Sequence, residues 1–201
     1  MLVPVVIAAL LFLQFAAAAD ATVDLTPTPA EYIAEGIKFQ QLLFKDNKQL
    51  ISYDLPREWT YRYDGGRIVL TPPEAPFAEA LIEALSMEKP EPFDDAIVKA
   101  LEQRILTSLP PNSDGIAILK TERNPVILNR NLSFEIVVSY RTLGETFQRS
   151  VLFINTPGTR LIFKLSARKS DFDKVYSAFR ASVLTWQWLG PASLAGLDSH
   201  T

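Results

Sequence analysis

Few residues in this 201-residue chain have side chains that could carry covalent or metal chemistry. The chain has no cysteine, and its single histidine is His200, next to the last residue of the sequence. Because a catalytic base must be held in a narrowly defined position, a histidine in a terminal tail is expected to be a bystander. The sequence therefore argues against Ser/His/Asp and Cys/His nucleophilic schemes, and against zinc sites built on histidine or cysteine.

Two pairs of carboxylates remain as candidates for acid and base catalysis, Asp94 with Asp95 and Glu79 with Glu83. The aspartates stand at the start of a predicted helix, where negative charge interacts favourably with the helix dipole. The glutamates match the solvent side of an amphipathic element. We therefore predict that the chain is not an enzyme and has no catalytic residue, cofactor site or metal site.

Positive charge is concentrated in one part of an otherwise acidic chain. The formal net charge is −3, whereas residues 120–170 contain 9 Lys and Arg against 3 Asp and Glu. A basic face can bind an acidic partner, although alternating strands also place polar residues outward for solvation alone. The acidic isoelectric point and the lack of a recognised nucleic-acid-binding motif argue against nucleic acid as a partner. The candidate partner-binding residues are Arg141, Arg160, Lys164 and Arg168.

The N-terminal sequence predicts an exported protein, either periplasmic or secreted. Residues 1–19 form an apolar run that ends in small residues, as expected of a cleavable signal peptide. A retained membrane anchor is the competing interpretation, and it would be the chain's one link to a membrane. We predict a linker over residues 20–28, a single domain over 29–189 and a flexible tail over 190–201.

The first half of the domain is predicted to begin with a helix and to continue in strands. Thr28 and Pro29 suit the cap and first position of a helix. Trp59, Tyr61 and Tyr63 alternate before Asp64-Gly65-Gly66, and an apolar run through Ile68 and Leu70 follows. This pattern predicts a β-hairpin, since adjacent glycines accept the positive φ of a tight turn. The segment 77–88 is ambiguous between helix and strand, and we favour a strand.

The second half is predicted to contain two amphipathic helices and a meander of strands. Ile97, Leu101 and Ile105 follow at four-residue steps after Asp94, which predicts the first helix. After several strands, a final strand over 160–168 alternates strictly, and Ser170 is predicted to cap a closing helix. The apolar stripe of that helix, which we expect to seal the core, contains Phe172, Val175, Tyr176, Phe179 and Val183. Trp186 and Trp188 are expected to staple the following segment to the body, or else to expose an edge for interaction.

The order of these elements resembles the PsbP-like fold. The stretches that carry the resemblance are "ISYDLPREW", "FDDAIVKALEQRI" and "LIFKLSARKSDFDKVYSAFRASV". Photosystem extrinsic proteins, a eukaryotic Ran-binding import factor and many exported bacterial proteins of unknown role share this fold. The resemblance implies an α+β domain with an antiparallel sheet between helices, an α/β/α sandwich that typically serves accessory and binding roles.

Three functions follow from these observations. The leading hypothesis is an exported, non-catalytic accessory domain that binds a protein partner or envelope component through the basic face. The second is a carrier of a small apolar molecule in a pocket lined by Phe134, Phe153 and Phe163. The third, which is the least favoured, is an envelope hydrolase that uses the carboxylates.

Overall fold

The structure, a computed structural model, describes residues 23–47 and 49–190. The predicted signal segment 1–19, and all but the first residue of the predicted tail 190–201, lie outside this range. The described residues form two antiparallel sheets and two helices, in agreement with the predicted α+β class. In chain order the elements are β1 (Val23–Ala34), β2 (Ile37–Asp46), β3 (Gln49–Asp54), β4 (Thr60–Asp64), β5 (Arg67–Thr71), β6 (Glu79–Ser86), α1 (Asp95–Thr107), β7 (Asp114–Arg123), β8 (Ser133–Thr142), β9 (Glu145–Thr156), β10 (Thr159–Arg168), α2 (Lys169–Val183) and β11 (Gln187–Leu189).

The larger sheet has seven strands in the order β4-β5-β6-β10-β9-β8-β7, and the smaller has four in the order β1-β2-β3-β11. Helix α1 packs on one face of the large sheet, where Leu101 and Ile105 join a core that contains Phe134 and Ile136. Helix α2 and the small sheet cover the other face and form a second core. The large sheet is therefore the central layer, with α1 on one side and α2 on the other.

The N-terminal segment corrects the sequence prediction. Val23–Ala34 is a strand, so Thr28 and Pro29 do not start a helix and most of the predicted linker belongs to the domain. The turn residues are Glu35 and Gly36, with φ of 51° and 77°, which suit a two-residue hairpin. Prolines are tolerated here because β1 is the edge strand of its sheet.

The remaining predicted elements are largely confirmed. Residues Glu79–Ser86 form a strand, and Gly65 and Gly66 turn a hairpin with φ of 56° and 89°. The Asp94 carboxylate caps α1 by accepting a hydrogen bond from the backbone N–H of Ile97 at 2.9 Å.

The closing helix α2 differs from its prediction only at the start. It begins at Lys169, with no side-chain cap, so Ser170 lies inside the first turn and is not the capping residue. Its stripe faces the core as predicted, since Phe172, Val175, Phe179 and Val183 are buried. The Phe179 ring stacks on Trp59 with ring centroids 6.2 Å apart. The helix therefore closes the core between the two sheets.

The two tryptophans after α2 staple the chain to the small sheet. Trp186 is buried against Phe44, Tyr53 and Phe163. The indole N–H of Trp188 donates to Asp46 at 2.7 Å, and β11 pairs with β3. In residues 23–47 and 49–190, no helix combines the length and the hydropathy needed to cross a bilayer.

Candidate functional site

The four predicted basic residues do not share one face of the sheet. Opposite residues of an antiparallel pair point to the same face. Arg168 lies opposite Phe147, which in turn lies opposite Tyr140, so Arg168 and Tyr140 share the face that carries α1. Arg141 follows Tyr140 and therefore points to the other face, where it pairs with Asp114 at 2.6 Å. Arg160, Lys164 and Arg168 lie together on the α1 side.

Arg160 is a structural residue rather than part of an exposed site. It is 8% exposed, and its Nε donates to the Asn155 side chain at 2.8 Å. A second nitrogen donates to the Glu91 carboxylate at 2.9 Å, and the guanidinium lies 6.0 Å from the centre of the Phe93 ring. These contacts hold the loop before α1 against the sheet. A partner would have little access to this guanidinium.

Lys164 and Arg168 lie on the same face as Arg149, and all three side chains are partly exposed. We call Arg149, Lys164 and Arg168 the cationic patch. Arg149 donates to the Ser166 hydroxyl at 2.8 Å and to the Ser108 carbonyl at 3.1 Å. These two bonds fix the Arg149 guanidinium beside Lys164.

The Arg168 guanidinium stacks on an exposed aromatic ring. It lies 3.7 Å from the centre of the Phe77 ring, which is 54% exposed, and 4.0 Å from the Glu145 carboxylate. Cation–π stacking of this kind holds an arginine flat and leaves its edge open for a further ligand.

Lys164 lies between these arginines near the centre of the sheet and is partly buried. Burial lowers its pKa, and the guanidinium groups of Arg149 and Arg67 lower it further, whereas the charges of Glu83 and Glu79 act in the opposite direction. Among the described residues, no carboxylate oxygen lies within 4.0 Å of its ammonium group. The patch therefore contains a half-buried charge without a direct ion-pair partner.

The other predicted carboxylates have ordinary structural environments. Asp95 is exposed at the start of α1 and pairs with Arg123. Glu79 and Glu83 lie on the same face of β6 as Lys164, and Glu79 is 3.9 Å from Arg62. In the part of the chain that the structure describes, no three His, Cys, Asp or Glu side chains converge as a metal site would require.

The predicted apolar pocket is not formed by the three phenylalanines named for it. Phe134 and Phe153 belong to the core under α1, whereas Phe163 belongs to the core under α2. All three rings are fully buried, and the large sheet separates Phe134 and Phe153 from Phe163. An open cleft of about 610 Å³ lies elsewhere, between the β1–β2 hairpin and the C-terminal half of α2.

A buried polar cluster was also missed. Glu135 lies on β8 and is completely buried beneath α2, which the sequence does not indicate. Its Oε1 accepts hydrogen bonds from Ser150 and Tyr176, both at 2.8 Å, and from Arg180 at 3.3 Å. Burial and the Glu135 charge raise the pKa of Tyr176 to about 12, which keeps the phenol protonated as a donor.

Comparison with known proteins bears on the architecture. No protein-family model matches the sequence, and no curated protein matches it. Among solved structures, the chain is similar to the cyanobacterial PsbP of Synechocystis sp. PCC 6803, with a TM-score of 0.51, 10% identity, and coverage of 69% of this chain and 86% of that one. It is also similar to LpqN of Mycobacterium tuberculosis, a protein involved in cell envelope biogenesis, with a TM-score of 0.50, 16% identity, and coverage of 85% and 94%.

A protein of unknown function from Pseudomonas aeruginosa aligns with a TM-score of 0.48 and 17% identity, over 81% of this chain and 96% of that one. At these identities the similarity concerns the fold and not the activity. The central antiparallel sheet between two helices agrees with the arrangement that the sequence resemblance implied. The chain therefore has the PsbP-like fold.

Proposed function

We propose that this chain is an exported, non-catalytic accessory domain that binds an acidic protein partner or envelope component through its cationic patch. The observation that carries the proposal is the half-buried ammonium of Lys164, which has no carboxylate within 4.0 Å among the described residues. Burying a charge is unfavourable unless an opposite charge compensates it. An acidic group bound at this point would supply that compensation.

The neighbours of Lys164 favour a carboxylate-bearing surface. Arg168 is held flat on Phe77, and Arg149 is fixed by Ser166 and Ser108, so both guanidinium groups are ordered before a partner arrives. Preordered donors lose less conformational entropy on binding. The exposed ring of Phe77 adds apolar area beside the charges, an arrangement typical of binding hot spots.

The proposed location rests on the N-terminal sequence. Residues 1–19 have the apolar composition and small terminal residues of a signal peptide. An accessory role is also compatible with LpqN, a structurally similar protein that is involved in cell envelope biogenesis.

The proposal is tested by affinity capture from the envelope fraction of the native organism. We would compare the wild-type chain with the double variant Lys164→Glu/Arg168→Glu. The captured partner should be lost from the double variant, and its capture by the wild type should weaken as salt is raised, because screening shortens the range of the attraction. Arg160 is left unchanged because its replacement would disturb the loop that holds α1.

The matched control is Lys45→Glu/Lys174→Glu, which changes the net charge equally but on other exposed surfaces. Equal loss in both double variants would mean that only total charge matters and would contradict the proposed site. Retention of the partner by Lys164→Glu/Arg168→Glu, with the fold intact, would contradict it as well.

A further inference from the structure

Strand β2 is longer than the strand beside it. β2 spans Ile37–Asp46, and β3 pairs only with its residues Gln41–Asp46. Over Ile37–Gln40, β2 is paired with β1 on one side, and no strand of the described residues pairs with it on the other. The chain leaves β3 after Asp54, and residues 55–58 line the cleft beside β2 without forming a strand.

The main-chain groups of Lys38 point toward this open side. In an antiparallel pair, alternate residues direct both their N–H and their C=O to the same neighbour. The hairpin turn at Glu35-Gly36 makes Ile37 and Phe39 the residues bonded to β1, so the groups of Lys38 and Gln40 face away from it. The Leu55 N–H donates a hydrogen bond of 2.9 Å to the Gln40 carbonyl. This bond confirms that the main-chain groups of Gln40 point away from β1.

The open side of β2 leads directly into the cleft of about 610 Å³. Its lining includes Ile37 and Phe39, on one face of the small sheet, as well as Lys38 and Gln40, on the other. The cleft therefore follows the edge of the strand, as a gap left by a missing strand would. The far wall is the small-residue side of α2, which contributes Ala178, Ala181 and Ser182.

Most polar side chains around the cleft already have partners. The Asp54 carboxylate accepts hydrogen bonds from Tyr32 at 2.8 Å and from Gln41 at 2.9 Å. Ser182 is hydrogen-bonded to Tyr53 at 2.8 Å. Among residues 23–47 and 49–190, no hydrogen bond engages the backbone N–H or C=O of Lys38. What the cleft offers a ligand is an apolar floor and an unpaired strand edge.

We propose that the edge of β2 at Lys38 binds an extended peptide of a protein partner by β-strand addition. The peptide would lie beside β2 beyond Leu55, which keeps its bond to the Gln40 carbonyl. Its main chain would bond to the N–H and C=O of Lys38, and alternate side chains would rest on Ala178 and Ala181. A small apolar molecule would fill the cleft but would leave the strand edge unpaired. An extended peptide would both fill the apolar cleft and pair with the main chain of β2. This site is separate from the cationic patch.

The probe is a fluorescently labelled, capped hexapeptide of alternating valine and threonine, titrated with the full chain and followed by anisotropy. We expect binding with a Kd below about 1 mM. Lys38→Pro removes the N–H that faces the cleft without touching the bonds between β1 and β2, and should weaken binding at least about tenfold. Lys38→Ala separates this effect from loss of the lysine charge and should bind within about twofold of wild type.

Ile33→Pro is the matched control. Ile33 lies opposite Lys38 in β1, so its N–H points to the outer edge of the same hairpin. This variant should bind like wild type, which would show that a proline in the hairpin is tolerated. Thermal melts of both proline variants check that the fold is retained.

A second test leaves the protein unchanged. The same hexapeptide with every amide N-methylated keeps its side chains but has no main-chain donor, and it should bind at least about tenfold more weakly. Binding of the methylated peptide equal to that of the parent would overturn the proposal. Unchanged affinity in Lys38→Pro, or no binding of the parent peptide up to about 1 mM, would overturn it equally.

Discussion

The buried Glu135 cluster gives the sharpest stability prediction. Glu135 lies on β8 and is fully buried beneath α2. It accepts hydrogen bonds from Ser150, Tyr176 and Arg180. Lys120 lies 3.5 Å from its other oxygen. Replacing it by leucine, Glu135→Leu, removes the acceptor and leaves the donors and a guanidinium facing an apolar side chain.

The expected loss of stability follows from these contacts. Removing one partner of a buried ion pair typically costs about 3–5 kcal/mol. We expect a loss at the lower end of this range. Arg180 keeps a hydrogen bond to the Pro125 carbonyl at 2.8 Å, and part of its side chain is exposed to solvent. We therefore expect a loss of about 3 kcal/mol, which corresponds to a fall in Tm of about 6–12 °C for a domain of this size.

The assay is urea unfolding monitored by tryptophan fluorescence, together with the double variant Glu135→Leu/Arg180→Leu. The double variant should be about 1–2 kcal/mol more stable than Glu135→Leu alone, because it no longer buries an uncompensated guanidinium. Glu122→Leu is the control, since Glu122 lies opposite Glu135 on the exposed strand β7 and should affect stability far less. A loss below about 1 kcal/mol in Glu135→Leu would refute the reasoning that this cluster fastens α2 to the sheet.

Three further predictions concern single residues, each measured by chemical or thermal unfolding. Lys164→Met should raise the Tm at neutral pH, because burial lowers the pKa of Lys164 and so penalises its charged form in the folded state. The unfolded chain then binds more protons between the lowered pKa and the ordinary value of 10.5, so wild-type stability should rise with pH through that window, and the rise should vanish in Lys164→Met. Asp94→Ala should destabilise the domain by about 1 kcal/mol, whereas Ser170→Ala should be nearly neutral, since only Asp94 caps a helix; equal losses would count against this. Trp186→Ala should cost about 3–5 kcal/mol because the ring is buried among four aromatic neighbours, and a loss under about 1 kcal/mol would be inconsistent with a packed staple.

Elements with a strong periodic pattern could be predicted from the sequence. The stripe of α2 and the strict alternation of β10 both depend on local spacing, and each faces the side that its pattern indicated. The helix cap at Asp94 could also be predicted from the sequence, because capping depends on residues no more than three positions away.

The N-terminal hairpin was not predicted, because its local signals conflict with its tertiary pairing. Thr28 and Pro29 have the chemistry of a helix start, but pairing with β2 places them in a strand. Gly36, with Glu35, forms a two-residue turn where the sequence predicts a helix. The packing of Val23 and Leu25 into the core fixes this outcome, and that packing involves residues far along the chain.

The candidate site was predicted only in part, for the same reason. Lys164 and Arg168 share a strand face, which a period of two reveals. Arg141 was assigned to that face although it lies on another strand, and its side depends on the register between strands. The burial of Glu135 likewise depends on where α2 crosses the sheet, and strand periodicity carries no information on that crossing.

The most direct test of the proposed binding role is lysine acylation footprinting of the domain, alone and in complex with its captured partner. Mass spectrometry would report the labelling rate of Lys164 beside those of the exposed Lys45 and Lys174. Binding through the cationic patch predicts that labelling of Lys164 falls at least about tenfold in the complex while both control lysines are unchanged. Unchanged labelling of Lys164, with protection found only at Lys45 or Lys174, would contradict it.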